Sequence, residues 1–126
     1  MKFFKESNNL LDDPSGLRKR LRDDGYLFLR SILPKEDVLN LRYQILEICE
    51  EAGWIRHGSN FIDGQTDRPP ITERDDEYIP VYAKIQALET FHSLKLNKNI
   101  ISIMETIFQE SVFPFPATIG RIAFPR

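Results

Sequence analysis

Two histidines, one lysine and one arginine are the residues of this 126-residue chain whose types and positions bear most directly on chemistry. His57 and His92 are the metal candidates. A facial iron site needs two histidines and a carboxylate converging on one side of the metal. His57 is followed by Gly58-Ser59 and His92 by Ser93-Leu94, so neither opens a His-x-Asp or His-x-Glu pair. Their expected role is structural, exposed or hydrogen-bonded. Lys84 falls inside an amphipathic pattern, between Val81 and Leu88. It either lies at the edge of the apolar stripe with its stem over it, or points into a cavity that holds an anion. Arg121 alternates with Ile119 and Ala123. An arginine on a partly apolar face can clamp a carboxylate through two parallel hydrogen bonds.

Other groups read as structural. The pairs Asp12-Asp13, Asp23-Asp24, Glu50-Glu51 and Asp75-Asp76 place adjacent side chains in diverging directions, so each reads as solvated surface. No glycine-rich phosphate loop, Walker-type sequence or Gly-x-Ser-x-Gly elbow is present. Trp54, after Gly53, reads as an apolar plug between helix and loop, with ligand stacking as the alternative.

The elements that must position these residues follow from spacing. Residues 1–12 are polar and expected to be flexible. Asp13 can cap a helix with Pro14 in its first turn, Leu17 and Leu21 on one face, and Gly25 as its stop. Tyr26–Arg30 reads as a strand. Val38, Leu41, Ile45, Ile48 and Ala52 mark the clearest helix, widened by Leu46 and Cys49. Its first turn carries Glu36 and Asp37, where the helix dipole favours them. Periodicity disappears from Arg56 to Glu77, a long loop of the kind that is often functional. Helical spacing returns near Ile79 and runs to Phe91 or His92. Another helix follows, capped by Asn97, with Ile100, Ile103, Met104, Ile107 and Phe108 on its apolar face. Prolines extend Val112–Pro116, and Ala117–Phe124 reads as a strand.

Composition narrows the function classes. Hydrophobic residues make up 41% and charged residues 29%, ordinary for one globular domain spanning 1–126. A net charge of -2 argues against a dedicated nucleic-acid partner, and the basic cluster Arg18, Lys19, Arg20 and Arg22 reads as a solvated helix face. No apolar run reaches the ~20 residues of a membrane span, and the opening Met1–Glu6 lacks the apolar core of a secretory signal. The single cysteine, Cys49, fits a helix core and a reducing, cytoplasmic setting.

The stretch Leu21–Pro34, with its Asp24-Gly25-Tyr26 step, resembles the opening of the phytanoyl-CoA dioxygenase family. Lys35–Ile55 continues the pattern, Tyr82-Ala83-Lys84-Ile85-Gln86 resembles a later helix, and Ile119–Pro125 resembles a first barrel-leading strand. The resemblance covers roughly residues 16 to 126. It implies an α+β fold, the N-terminal helices and first strands of a double-stranded β-helix with the barrel incomplete. It implies Fe(II) and 2-oxoglutarate as cofactors of full-length relatives, which hydroxylate small molecules. It also implies that Lys84, and less directly Arg121, help hold the cosubstrate, and that the 56–77 loop forms part of a substrate lid. The iron-binding His-x-Asp is expected shortly after Arg126, where the chain ends. No cofactor and no oxygenase activity are therefore expected of these residues alone. The rival expectation is a non-catalytic module that self-associates or binds a complementing chain.

Overall fold

The computed structural model describes residues 3–125. Of the expected flexible opening, residues 1–12, Met1-Lys2 lie outside the described residues, as does the chain end at Arg126. Five α-helices carry the fold: α1 (Pro14–Asp24), α2 (Lys35–Glu51), α3 (Tyr78–Gln86), α4 (Glu89–Ser93) and α5 (Lys98–Phe108). Short 3-10 turns lie at Asn8–Leu10, Phe61–Asp63 and Leu94–Leu96. The chain divides into two compact units, one built from residues up to Lys35 with Lys95–Pro114, the other from Glu36–Leu94 with the segment from Phe115 onward.

In the first unit the helix signals act as the sequence predicts. The Asp13 carboxylate accepts from the Gly16 N–H at 2.9 Å, Pro14 needs no partner for a missing N–H, and Gly25 turns left-handed at φ 76°. Leu17 is fully buried and α1 packs on α5, where Ile107 is the buried residue. Asn97 caps α5 by accepting from the Asn99 N–H at 2.9 Å, and the Asn99 side chain donates to the Ile32 carbonyl at 2.8 Å.

The expected α+β architecture is not found: the helices pack without a sheet, and no jelly-roll strand forms among the described residues. Tyr26–Arg30 makes a single parallel bridge, Glu6 to Phe28. The bridge cannot propagate, because the chain turns into a 3-10 helix at Asn8. The Asn8 side chain takes over the role of a neighbouring strand: its amide donates to the Arg30 carbonyl at 2.8 Å and its carbonyl accepts from the Arg30 N–H at 2.8 Å. Ala117–Phe124, the second expected strand, runs without ladder partners. β-Branched and aromatic residues favour strands only where neighbouring strands accept their backbone hydrogen bonds. Among the described residues no strand takes that place.

The second unit is organised around Cys49, Trp54, Val81 and Ile85, which form its buried cluster. On α2 the buried face is Leu46 and Cys49, flanked by Ile45 and Ile48, whereas Val38 is exposed. The predicted helix from Ile79 breaks at Ala87-Leu88, so that its end forms the separate α4. The unperiodic loop is held by its own side chains. Arg56 accounts for one half: its N–H donates to the Gln65 carbonyl at 2.7 Å, and its guanidinium reaches Asp67 at 2.8 Å and the Gln65 side chain at 2.9 Å. The other half turns at Thr72, whose N–H donates to Asp75 at 2.6 Å, and the Asp75 carbonyl then accepts from the first N–H of α3 at 2.9 Å.

Candidate functional site

Within the second unit these elements enclose an open cleft of about 900 Å³. That volume lies in the range of small-molecule pockets. Its floor is apolar: Ile45 from α2, Val81 and Ile85 from α3, Phe91 from α4, and Trp54. One wall is the loop from Thr66 to Arg74, and the opposite wall is Gly120–Phe124. Two contacts hold that last segment in place without a sheet. The Gln86 side chain donates to the Thr118 carbonyl at 2.8 Å. Gly120 lies so close to the Phe91 ring that a Cβ there would meet its Cζ at 3.0 Å.

Aromatic and cationic groups share the rim. Tyr78 and Tyr82, one helical turn apart, stack at 5.2 Å between centroids with 16° between their planes. The Tyr82 hydroxyl accepts from the Gln86 amide at 2.8 Å. The Tyr78 phenol is pushed above its usual range, first by desolvation and then by the neighbouring Tyr82 and Glu73, while Arg121 pulls it the other way. Arg68, Arg74 and Arg121 all line the cleft. Arg68 is neutralised by an ion pair with Glu77. Arg74 and Arg121 make no ion pair among the described residues, and Glu73 is the acidic group that lines the same space. Positive charge is therefore in excess.

Trp54 contributes a second unspent polar group. It is only 6% exposed, and its indole Nε1–H has no hydrogen-bond partner within the chain among the described residues. Indole nitrogen is a donor only, and leaving such a donor unsatisfied costs about 1–3 kcal/mol. Trp54, expected from the sequence to be an apolar plug, is a member of the buried cluster, and part of its side chain lines the cleft.

The sequence-selected residues separate. Arg121 lies on the cleft. Lys84 does not: its ammonium pairs with Glu51 at 2.9 Å, with both side chains more than half exposed. The structure does not bring the two together at one anion site. His92 Nε2 donates to the Gln86 carbonyl at 2.8 Å, and its ring meets Phe91 edge-on. His57 is exposed in a turn. No three His, Cys, Asp or Glu side chains converge to hold a metal ion among the described residues. The donor set here does not fit the iron that the family resemblance implies, and no chemical step is derived through it.

Arg68, Arg74, Tyr78 and Phe91 were not legible as site residues. Arg68-Pro69-Pro70 reads as a turn, and the Tyr78/Tyr82 pair at i, i+4 was the one available signal. Comparison with family models, with curated proteins and with solved structures returns no match. Among the described residues no helix is long and apolar enough to cross a membrane.

Proposed function

We propose that this chain is the helical, substrate-holding part of an Fe(II)/2-oxoglutarate-dependent oxygenase resembling the phytanoyl-CoA dioxygenases, and that these residues bind without catalysing. The proposal carries over the chemistry of that family and not its sheet. The single observation that carries it is the presence of Arg121, within the family-like stretch Ile119–Pro125, on an apolar cleft with an aromatic rim. The ordered resemblance from Leu21 to Pro34 and from Tyr82 to Gln86 supports it further. The substrate is a small organic molecule. The cytoplasmic setting belongs to the same proposal, and rests on a single buried thiol, Cys49.

Two outcomes test this reading. The 126-residue protein, given Fe(II), 2-oxoglutarate and O2, is expected to produce no succinate above the protein-free rate; sustained succinate formation contradicts the non-catalytic part. Reading the coding DNA onward from the Arg126 codon is expected to reveal a His-x-Asp pair and a later histidine, in frame or after a frameshift. If neither is there, the oxygenase part falls.

A second reading is favoured by Phe113 in the first unit and by Phe115 and Ile119 in the second, which are 87%, 78% and 79% exposed. Exposed apolar side chains of this size are candidates for an interaction surface. Under it, the chain is a module whose apolar segment is covered by a second copy or by a partner chain. Light scattering separates the two: a cooperative monomer of 14.7 kDa contradicts self-association.

A further inference from the structure

We infer that Gln86, which does not itself line the cleft, is its positioning residue: one carboxamide nitrogen ties the Tyr82 rim to the Thr118 end of the Gly120–Phe124 wall, and so sets the opening into which a small organic molecule fits. The inference rests on the reading of the cleft as a binding pocket, and adds a residue outside the lining that governs its affinity.

Gln86 is the last residue of α3. Its carbonyl accepts from the His92 Nε2–H at 2.8 Å, which fixes the end of α3 against α4. Its side-chain nitrogen carries two hydrogens, and two acceptors stand 2.8 Å from it, the Tyr82 hydroxyl and the Thr118 carbonyl. A backbone carbonyl can only accept, so the nitrogen of the carboxamide, and not its oxygen, must face Thr118. The wall that follows has no ladder of its own. From Ile119 to Phe124 it makes no backbone–backbone hydrogen bond among the described residues, and a segment of that kind opens locally at little cost. Side chains hold it instead: Gln86 at Thr118, the Phe91 ring against Gly120, and Phe124 packed on the buried cluster. The two aromatic contacts tolerate sliding, whereas a hydrogen bond fixes both distance and direction. Because the same nitrogen also bonds the Tyr82 hydroxyl, and Tyr82 stacks on Tyr78, the wall is held in register with the aromatic rim. A ligand then meets an opening already set, and avoids the ordering cost that a loose wall would impose. A wall in the binding position only about a tenth of the time would raise the apparent Kd about tenfold. Losing one or two hydrogen bonds is enough for a shift of roughly that size.

Nuclear magnetic resonance of the full chain tests this with and without ligand. In the free protein the two protons of the Gln86 carboxamide should both lie downfield of free glutamine, and Tyr82→Phe should return one of them while leaving the other. Titration with 3-phenylpropionate as the probe then reads affinity. Gln86→Met keeps the length and helix propensity of the side chain and removes both donors; it is expected to weaken the probe about tenfold. Gln86→Glu has the same shape but sets only acceptors against the Thr118 carbonyl, and should weaken the probe at least as much. Asn97→Ala removes a helix cap in the first unit; it should lower the melting temperature and leave the affinity unchanged, which separates positioning from general loss of stability. Equal affinity in Gln86→Met and the wild type, or an equal loss in Asn97→Ala, overturns the positioning role while the cleft stands as a small-molecule pocket. Carboxamide protons at the free-glutamine position overturn it before any ligand is added. If the probe gives no saturable shift with the wild type, the pocket reading falls and takes the inference with it, whatever the carboxamide signals show.

Discussion

The Cys49 thiol is fully enclosed between helix and loop, and burial alone raises its pKa to about 11. At pH 8 almost none of it is thiolate, so alkylation by iodoacetamide should run far slower than for free cysteine. The rate should approach the free value only once the chain unfolds in denaturant. Two carboxylates behave in the opposite way. Asp13 lies below its ordinary value chiefly because the Gly16 N–H, and then the Ser15 hydroxyl, bond to its charged form. For Asp75 the Thr72 N–H, and then its hydroxyl, do the same. A carboxylate depressed in the folded state adds stability above its unfolded value of 3.8, and that contribution is lost as pH falls through the lower folded value. Thermal melts should therefore be flat in these two contributions from pH 7 to about 5 and decline below about 4. Asp13→Asn and Asp75→Asn together should flatten that decline. The histidines carry a residue-scale lesson as well. His92 spends its Nε2 on the Gln86 carbonyl six residues earlier, a bond that spacing in the sequence did not announce.

The helices α1, α2 and α5 were legible because each is specified by residues within the element itself, whereas the break between α3 and α4 was not. Asp13, Pro14 and Gly25 bracket α1 by local backbone chemistry, and Asn97 does the same for α5. The apolar stripe of α2 could be read from spacing alone, although only its second half finds a partner to bury it. Strands were misread for the converse reason. The residues of Tyr26–Arg30 and Ala117–Phe124 suit a sheet, but a strand depends on neighbours that no local pattern encodes. In one case an asparagine amide supplied the neighbour's hydrogen bonds, and in the other a glutamine side chain and a glycine against Phe91 fixed the segment. The internal order of the 56–77 loop was not legible, because it comes from polar side chains at irregular spacing. Leu17→Ala should cost about 2–5 kcal/mol, as for other fully buried leucines, and lower the denaturation midpoint measured in urea. Asn97→Ala should cost about 1 kcal/mol by removing the cap of α5, read from the same curves. Gly120→Val should force the Phe91 ring aside and lower ligand affinity more than stability, which calorimetry and melts on one variant can separate.

At the scale of the molecule, seven hydrophobic residues are buried among the described residues, and three of the four in the second unit's cluster, Trp54, Val81 and Ile85, line the cleft. The part of the molecule that is best packed is therefore also the part that offers a pocket. The most direct test of the account uses the one tryptophan of the chain. In a ¹H–¹⁵N correlation spectrum its indole N–H gives a single peak, and because Trp54 lines the cleft, a small organic molecule that enters it, with 3-phenylpropionate as the probe, should move that peak. The shift should be saturable and accompanied by shifts at Tyr78 and Arg121, which line the same cleft. An indole peak that stays fixed while the acid binds, or shifts confined to α1 and α5, would contradict it.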